Sequence, residues 1–302
     1  MSGIPSNRTN INPPAEISQE ILAKTQQASA IMTLARRVEL PGVGKQIPVI
    51  TSDPSAAWVG ETEEKSVSNP GLSAKTMQAY KLAVIVPFSK EFRRDLRALY
   101  DELVRRLPAA LGQQFDKTVA GAVAKPGENF DNFAACTAQS ILTSGGNTAY
   151  KGLTAAYADI ANHGGSLSGF AMSPAGIGLL LEAVDTAGRP IFTNGAVEGA
   201  PNRVLGQPII ESRGIYKAGS AAADSTPAVP AIVGIAGDWS QAMFGTVAGV
   251  EISISDQATL QSGTTTINLW QRNMFAVMAE IEVGFRADTA CFNLLTGVAP
   301  SA

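Results

Sequence analysis

The side chains best equipped for chemistry are few and scattered. His163 is the only histidine, and it stands in the turn-like stretch Asn162-His163-Gly164-Gly165. A triad would need an activated nucleophile beside it, and the chain has no GxSxG elbow, so a solvated loop histidine is the simpler reading. The two cysteines, Cys136 and Cys291, form no CxxC. Structural zinc takes four Cys or His ligands as a rule, and this chain has three such residues in all, so no metal site is expected. GxGxxG, Walker A and HExxH patterns do not occur, and neither an enzyme nor a cofactor is expected. What remains is charge. Glu61, Glu63, Glu64 and Lys65 crowd one stretch, and Arg93, Arg94, Arg97, Arg105 and Arg106 crowd another. That is the chemistry of contacts between surfaces.

Composition agrees with a folded, weakly charged molecule. Of 302 residues, 45% are hydrophobic and 16% charged, with 29 Gly and 17 Pro. This is room for one large domain or two modest ones, with no signature of disorder. A net charge of −3 excludes a generally basic, nucleic-acid-gripping surface. The opening MSGIPSNRTNINPPAEIS lacks a positive region followed by an apolar one, so no export signal is expected. Without one, the Asn7-Arg8-Thr9 sequon is a chance match. No run approaches the ~18 apolar residues that span a bilayer, and no membrane partner is expected.

The elements that must position these groups follow from periodicity. Residues 1–15 read as an extended arm, and Ile17, Ile21, Leu22, Ile31 and Leu34 suggest a short helix near 16–36. QIPVI (46–50) and AYKLAVIV (79–86) read as strands, joined by a Ser-, Gly-, Pro- and charge-rich connector into one extended hairpin. A connector that long is unusual inside a compact domain, and a lone two-stranded hairpin is marginal in water. The simplest resolution is that it rests on another molecule. Phe92, Leu96, Leu99, Leu103, Leu107, Leu111, Phe115 and Val119 then recur every three or four residues, one face of a long helix. Ser89 is its expected N-cap, and Pro108 predicts a kink or break. The loop KPGENFDNF follows at 125–133.

The middle of the chain reads as mixed α and β. Leu153, Ala156, Tyr157 and Ile160 mark a helix. Ser173-Pro174 opens another, with Ile177, Leu180, Leu181 and Val184 as its stripe and Gly188 and Pro190 beyond it. VLGQPII (204–210) and AIVGIAG (231–237) read as strands, and 217–231 as a surface loop. Phe275, Val277, Ala279, Ile281, Val283 and Phe285 alternate with smaller or polar residues, a long strand with one buried face; VEISIS (250–255) is its expected partner.

The order of these parts resembles the tailed-phage major capsid fold of the Hong Kong 97 type. Three stretches carry the likeness. AAWVGETEEK leading to AYKLAVIVPFSKEFRRD is similar to the family's Trp-x-x-Glu hairpin, return strand and spine helix. FAMSPAGIGLLLEAVDTAGRPIF with VLGQPIIES resembles its capped helix, Gly-Arg turn and strand, with Ser173-Pro174 as a variant cap. GIAGDWSQAMFG, VEISIS and NLWQRNMFAVMAEIEVGFRADTACFNLL resemble its Gly-Asp-aromatic turn and closing strands. The implied fold class is α+β. It comprises an N-terminal arm (1–37), an extended hairpin or E-loop (38–88), a peripheral domain with the spine helix (89–149), an axial domain (150–249), and closing strands of the peripheral domain (250–302).

The resemblance further implies a subunit that self-assembles as pentamers and hexamers into an icosahedral head shell around phage DNA, without sequence-specific contact. It would be a virion component assembled in the host cytoplasm. Expected partners are a portal and a separate scaffolding or decoration protein, since fewer than ~40 residues precede the hairpin. Trp58, Glu61, Glu63 and Glu64 on the hairpin would meet Arg93, Arg94 and Arg97 of a neighbour. Each exposed pair is worth only about 0–1 kcal/mol, but a shell repeats the contact many times. Some members weld their shells by a Lys–Asn isopeptide bond with a glutamate assisting, and on that pattern Lys75, Asn273 and Glu280 take the three positions. Along a regular strand Asn273 and Glu280 would face opposite sides. The alternatives are an encapsulin-type compartment of the same fold, a soluble α/β enzyme, and a phage tail or decoration protein.

Overall fold

The computed structural model describes residues 15–42, 44–50, 56, 58–59, 65, 67, 72–91, 96–142, 148–185, 187–192, 201–221, 228–247, 249–262 and 265–297. In chain order, α1 (Ala15–Ala28) and α2 (Ala30–Leu34) precede β1 (Arg36–Glu39), β2 (Lys45–Ile50), β3 (Leu72–Met77) and β4 (Tyr80–Ser89). Next come α3 (Leu96–Val119), β5 (Thr137–Ser140), α4 (Thr148–Asn162), β6 (Gly169–Met172) and α5 (Pro174–Leu181). Then follow β7 (Arg203–Val204), β8 (Gln207–Glu211), β9 (Ile232–Gly237), β10 (Ala242–Thr246) and β11 (Glu251–Ser255). The chain closes with β12 (Thr259–Ser262), β13 (Thr265–Asn268), β14 (Met274–Ala287) and β15 (Phe292–Thr296).

Two sheets form the body. In the first, β14 is central. β4 runs antiparallel along one edge, β10 and β11 lie end to end along the other, and β1 adds in parallel outside β10. The alternation predicted for β14 is realised: Phe275, Val277, Ala279, Ile281, Val283 and Phe285 are all buried. Leu107, Leu111, Phe115 and Val119 of α3 are buried with them, four-residue spacing laid along a two-residue repeat. α3 continues through Pro108 without the expected break. Packing of the residues on either side offsets the hydrogen bond that proline forfeits.

The second sheet has the order β5-β15-β9-β6-β8-β7 and carries α4 and α5. Its central strand β9 is buried along its whole length, which is why IVGIAG reads as a continuous apolar run. Ser173 caps α5 as expected, its Oγ accepting from the Gly176 N–H.

Several expectations need correction. β2 pairs with β3, LSAKTM, and not with AYKLAVIV, which forms β4 against β14. An apolar strand with alternating burial gains more as the neighbour of β14 than as half of a ribbon. Ser89 ends β4, with its Oγ accepting from the Glu91 N–H, and α3 is described only from Leu96. VLGQPII is two strands, because Leu205 and Gly206 both take positive φ (51° and 78°) and turn the chain back on itself. Tyr157, Leu181 and Val184 belong to predicted stripes yet are exposed. β15, near the end of the chain, lies in the second sheet, and β10 in the first.

The two sheets are stitched by a double crossover. The chain leaves β9 through a 3-10 turn at Trp239–Gln241 into β10, and returns from β14 through a like turn at Thr289–Cys291 into β15. Asp238 and Asp288 cap these turns, accepting from the Ser240 and Ala290 amides. Each crossing bonds the other: Asp238 N–H donates to Cys291 O (3.1 Å) and Asp288 N–H to Gln241 O (3.2 Å). Phe133, Phe285, Phe292 and Trp239 pack at this junction, with Phe133 and Phe292 stacked at 4.4 Å. A Cβ on Gly237 would strike the Phe292 ring at 2.0 Å.

Candidate assembly surfaces

The β2–β3 ribbon leaves the body where the chain turns from Met77 into β4. Met77 is fully buried and roots the ribbon. Gly284 of β14 lets the chain pass, since a Cβ there would meet Gln78 O at 2.6 Å. Arg286 sets the ribbon's base. Its Nε donates to Thr76 O (2.8 Å), Nη1 to Asp131 Oδ1 (2.8 Å) and Nη2 to Asn129 Oδ1 (2.9 Å). Asp131 also accepts from the Ala287 N–H, and Asn129 donates to Gln78 Oε1. One largely buried guanidinium thus ties together the ribbon, the 125–133 loop and the end of β14. That loop is anchored in turn by Phe130 and Phe133, both in the core.

Between β2 and β3, two described apolar residues stand in water. Trp58 is 104% exposed and Val67 86%. Glu61, Glu63, Glu64, Arg93 and Arg94 lie outside the described residues. Arg97 lies on α3, its side chain outside them too.

Lys75, Asn273 and Glu280 are placed far apart. Lys75 Nζ donates to Ala287 O (3.3 Å), at the end of β14. Asn273 precedes the start of that strand, with φ of 51° and its carbonyl accepting from the Lys90 N–H. Fourteen residues of extended chain put about 45 Å between the two ends. Asn273 is therefore on a turn, not on the regular strand from which its facing was predicted. Glu280 sits mid-strand, paired with Lys81 (2.6 Å), which also reaches Glu282 (3.6 Å). The hydrogen bond and charge of Glu280 raise the Lys81 pKa.

A buried polar clamp joins the N-terminal helices to α3. Asp116 accepts from Ser29 Oγ and Ser212 Oγ (2.5 Å each), Ala30 N–H (3.1 Å) and Ile31 N–H (3.4 Å). Burial pushes its pKa up to about 6, against the downward pull of the two serines and the two amides. Gly112, one turn earlier, admits the backbone at Ala28 and Ser29 to 3.2 Å of where its Cβ would lie. Sequence reading singled out neither this clamp nor the Arg286 hub. An aspartate one helical turn from a glycine, beside an apolar stripe, was the available signal for the first. The hub has none, because its partners are 155 or more residues apart.

The residues weighed for reaction chemistry are poorly disposed for it. Burial pushes the Cys136 thiol up to about 12 and raises that of Cys291, with Asp288 adding to both, so neither is a ready nucleophile. His163 follows α4 and donates from Nδ1 to Asp159 O (2.8 Å). Among the described residues no three His, Cys, Asp or Glu side chains cluster as a metal site, and no helix is long and apolar enough to cross a membrane.

Comparison with known proteins places this arrangement. Residues 13–287 match the model of the phage capsid family. The probable major capsid protein of Mycobacterium phage L5 is 28% identical over 303 residues, covering 94% of this chain and 88% of the relative. The major capsid protein of Staphylococcus phage 80alpha is 26% identical over 293 residues, covering 92% and 82%. Among solved structures, a chain from Mycobacterium phage Ogopogo superposes with a TM-score of 0.68 at 19% identity, covering 89% of this chain and 92% of that one. A chain from Gordonia phage Cozz gives 0.66 at 24% identity, covering 90% and 87%. These structures share the fold, and the family match spans the body and the ribbon alike. The chain belongs to the phage capsid family.

Proposed function

We propose that this chain is the major capsid subunit of a tailed phage, and that copies of it close as pentamers and hexamers into the icosahedral head shell. The match to the phage capsid family over residues 13–287 carries this reading. In the shell, the β2–β3 ribbon and the segment it carries, residues 45–77, reach across a neighbouring subunit. The first sheet with α3 makes the peripheral body, and the second sheet with α4 and α5 the axial domain. Trp58 and the carboxylates Glu61, Glu63 and Glu64 meet the helix that carries Arg93, Arg94 and Arg97. The near-neutral wall encloses DNA without reading its sequence, and portal and scaffolding or decoration proteins complete the particle. Its place is the virion, after assembly in the host cytoplasm.

Welding belongs to the same reading only between subunits. Lys75 and Asn273 stand about 45 Å apart within one chain, along the length of β14. The Lys75 amine of one copy would form the new C–N bond to the Asn273 side-chain carbonyl of another. The amide nitrogen would leave as ammonia, and Glu280, freed from Lys81, would relay the proton.

Electron microscopy of the expressed chain tests the proposal. Closed shells are expected, and soluble monomers under all assembly conditions would overturn it. Particles holding DNA and portal favour a virion, whereas a packed enzyme would mark an encapsulin-type compartment. On denaturing gels, a ladder of high-mass bands supports welding, and a single monomer band excludes it.

A further inference from the structure

We propose that α1 is a lid over the buried Asp116 clamp, shut while that carboxyl keeps its proton and lifting from α3 once the proton is lost. The device belongs to the single subunit and goes beyond the shell reading. Asp116 is fully buried on α3, and its donors come from two other parts of the chain. Ser29 Oγ and the Ala30 and Ile31 amides reach it from the start of α2, and Ser212 Oγ from just after β8. Each serine oxygen also accepts from its own turn, Ser29 from the Met32 N–H (3.0 Å) and Ser212 from the Gly214 N–H (3.2 Å). The clamp therefore has hydrogen bonds in plenty and, among the described residues, no cation. Lys24 on α1 and Glu211 and Arg213 beside Ser212 are exposed, Lys117 on α3 is half-buried, and none of the four bonds Asp116. Glu16, Glu20 and Arg106 lie more than two turns from the clamp along their own helices, and α2 carries no titratable group. Ionised in place, Asp116 is a buried charge without a counter-ion, and admitting water to it relieves the cost.

Three walls close the clamp, and they are held unequally. On one side Gly214 presses against Asp116, since a Cβ there would stand 2.6 Å from the Asp116 Cβ, and Ile215 next to it is fully buried. The start of α2 is also fixed, with Ala30, Ile31 and Met32 in the core. The end of α1 closes the remaining side over Gly112, one turn before Asp116. A Cβ on Gly112 would meet Thr25 O, Ala28 C and Ser29 N at 3.2 Å each. Yet α1 brings little apolar surface to hold it there. Its sequence AEISQEILAKTQQA is mostly polar, Lys24 and Gln27 are exposed, and Leu22 is only half-buried against the core. Ser29 joins it to α2 through extended backbone (φ −99°, ψ 121°), a ready hinge between two helices. α1 is the wall that leaves with the least apolar burial lost, and its leaving uncovers Asp116. The lid also sets where the chain ahead of it departs from the body.

Hydrogen exchange of the full chain as free subunits, between pH 4 and pH 7 and corrected for the intrinsic rate, tests the lid. The α1 amides should exchange well ahead of those in β14. The carboxyl titrates at about 6 when covered and at 3.8 in water, so closure is firmest in acid and weakens as pH rises to about 6. Over the range tested, α1 protection should fall on the order of fiftyfold. Asp116→Asn should leave that protection flat with pH. Should this variant fail to fold, Ser212→Ala decides: with one donor to the carboxylate gone, the midpoint of the fall should move to higher pH. Protection independent of pH in the parent chain would overturn the inference, as would an equal fall in Asp116→Asn or an unmoved midpoint in Ser212→Ala. So would α1 amides that exchange only together with β14, because α1 would then be no separate lid.

Discussion

The five-stranded sheet and the β2–β3 ribbon are built from the same antiparallel ladder, yet they are held by opposite means. β14 has hydrogen-bonded neighbours along both edges and an apolar face covered by α3. The ribbon has one ladder, no helix over the parts described, and a tryptophan standing in water. Among the described residues its geometry is set near the root, by buried Met77, by the Lys75 bond to Ala287 O and by the bonds of Arg286. The contrast separates folding from assembly. The body specifies itself, whereas the ribbon is aimed by a polar hub and, in the proposed shell, is covered by another subunit.

That contrast can be broken from either side. The largest effect is expected in the body: Phe285→Ala removes a buried ring that contacts Phe115, Phe130 and Phe133 and should cost about 4 kcal/mol. Urea unfolding measures it, and a cost below ~1 kcal/mol would mean the junction is not the keystone. Next is the clamp. The folded Asp116 pKa is raised from 3.8 to about 6, so the folded state holds its proton where the unfolded state has released it. Its contribution to stability is therefore undiminished below about pH 4 and declines as pH rises to about 6, by on the order of 3 kcal/mol. Asp116→Asn should flatten that segment of the stability–pH curve, followed by chemical unfolding at a series of pH values.

The hub comes third. Asp131→Ala leaves Arg286 buried with its remaining acceptors and should cost about 2 kcal/mol. Hydrogen exchange should quicken most at residues 72–78, at the ribbon's root. Uniform quickening across both sheets would mean the hub serves the body instead. The smallest effect is Trp58→Ala, expected within about 0.5 kcal/mol of the parent in subunit unfolding, yet marked in shell formation by sedimentation. A subunit destabilised by more than that would show that the ribbon folds back on its own body.

Much of the body was legible because its signals are local. The alternation of Phe275 to Phe285, the spacing of Leu107 to Val119 and the Ser173-Pro174 cap each lie within one element, and each appears where its period puts it. The failures are also instructive. AYKLAVIV read as half of a hairpin because a strand's own sequence does not state its partner, and β14 lies about 200 residues away. Leu205-Gly206 hid a turn inside an apolar run, since only the backbone angles reveal that both residues are left-handed. Lys75, Asn273 and Glu280 are legible as residue types, but their separation along β14 is a fact of register.

By itself, then, the sequence determined where the long helix α3, the capped helix α5 and the strands β4, β9, β11 and β14 lie, that no familiar catalytic motif occurs in it, and which family the order of parts resembles. Those properties depend on neighbours within a few residues. The tertiary structure alone decided that the chain crosses three times between its sheets, that β4 belongs to the body, and that Arg286 aims the ribbon. It also decided that two tryptophans are left outside. Each of these joins groups far apart along the chain, and exposure is a property of what the rest of the molecule fails to cover.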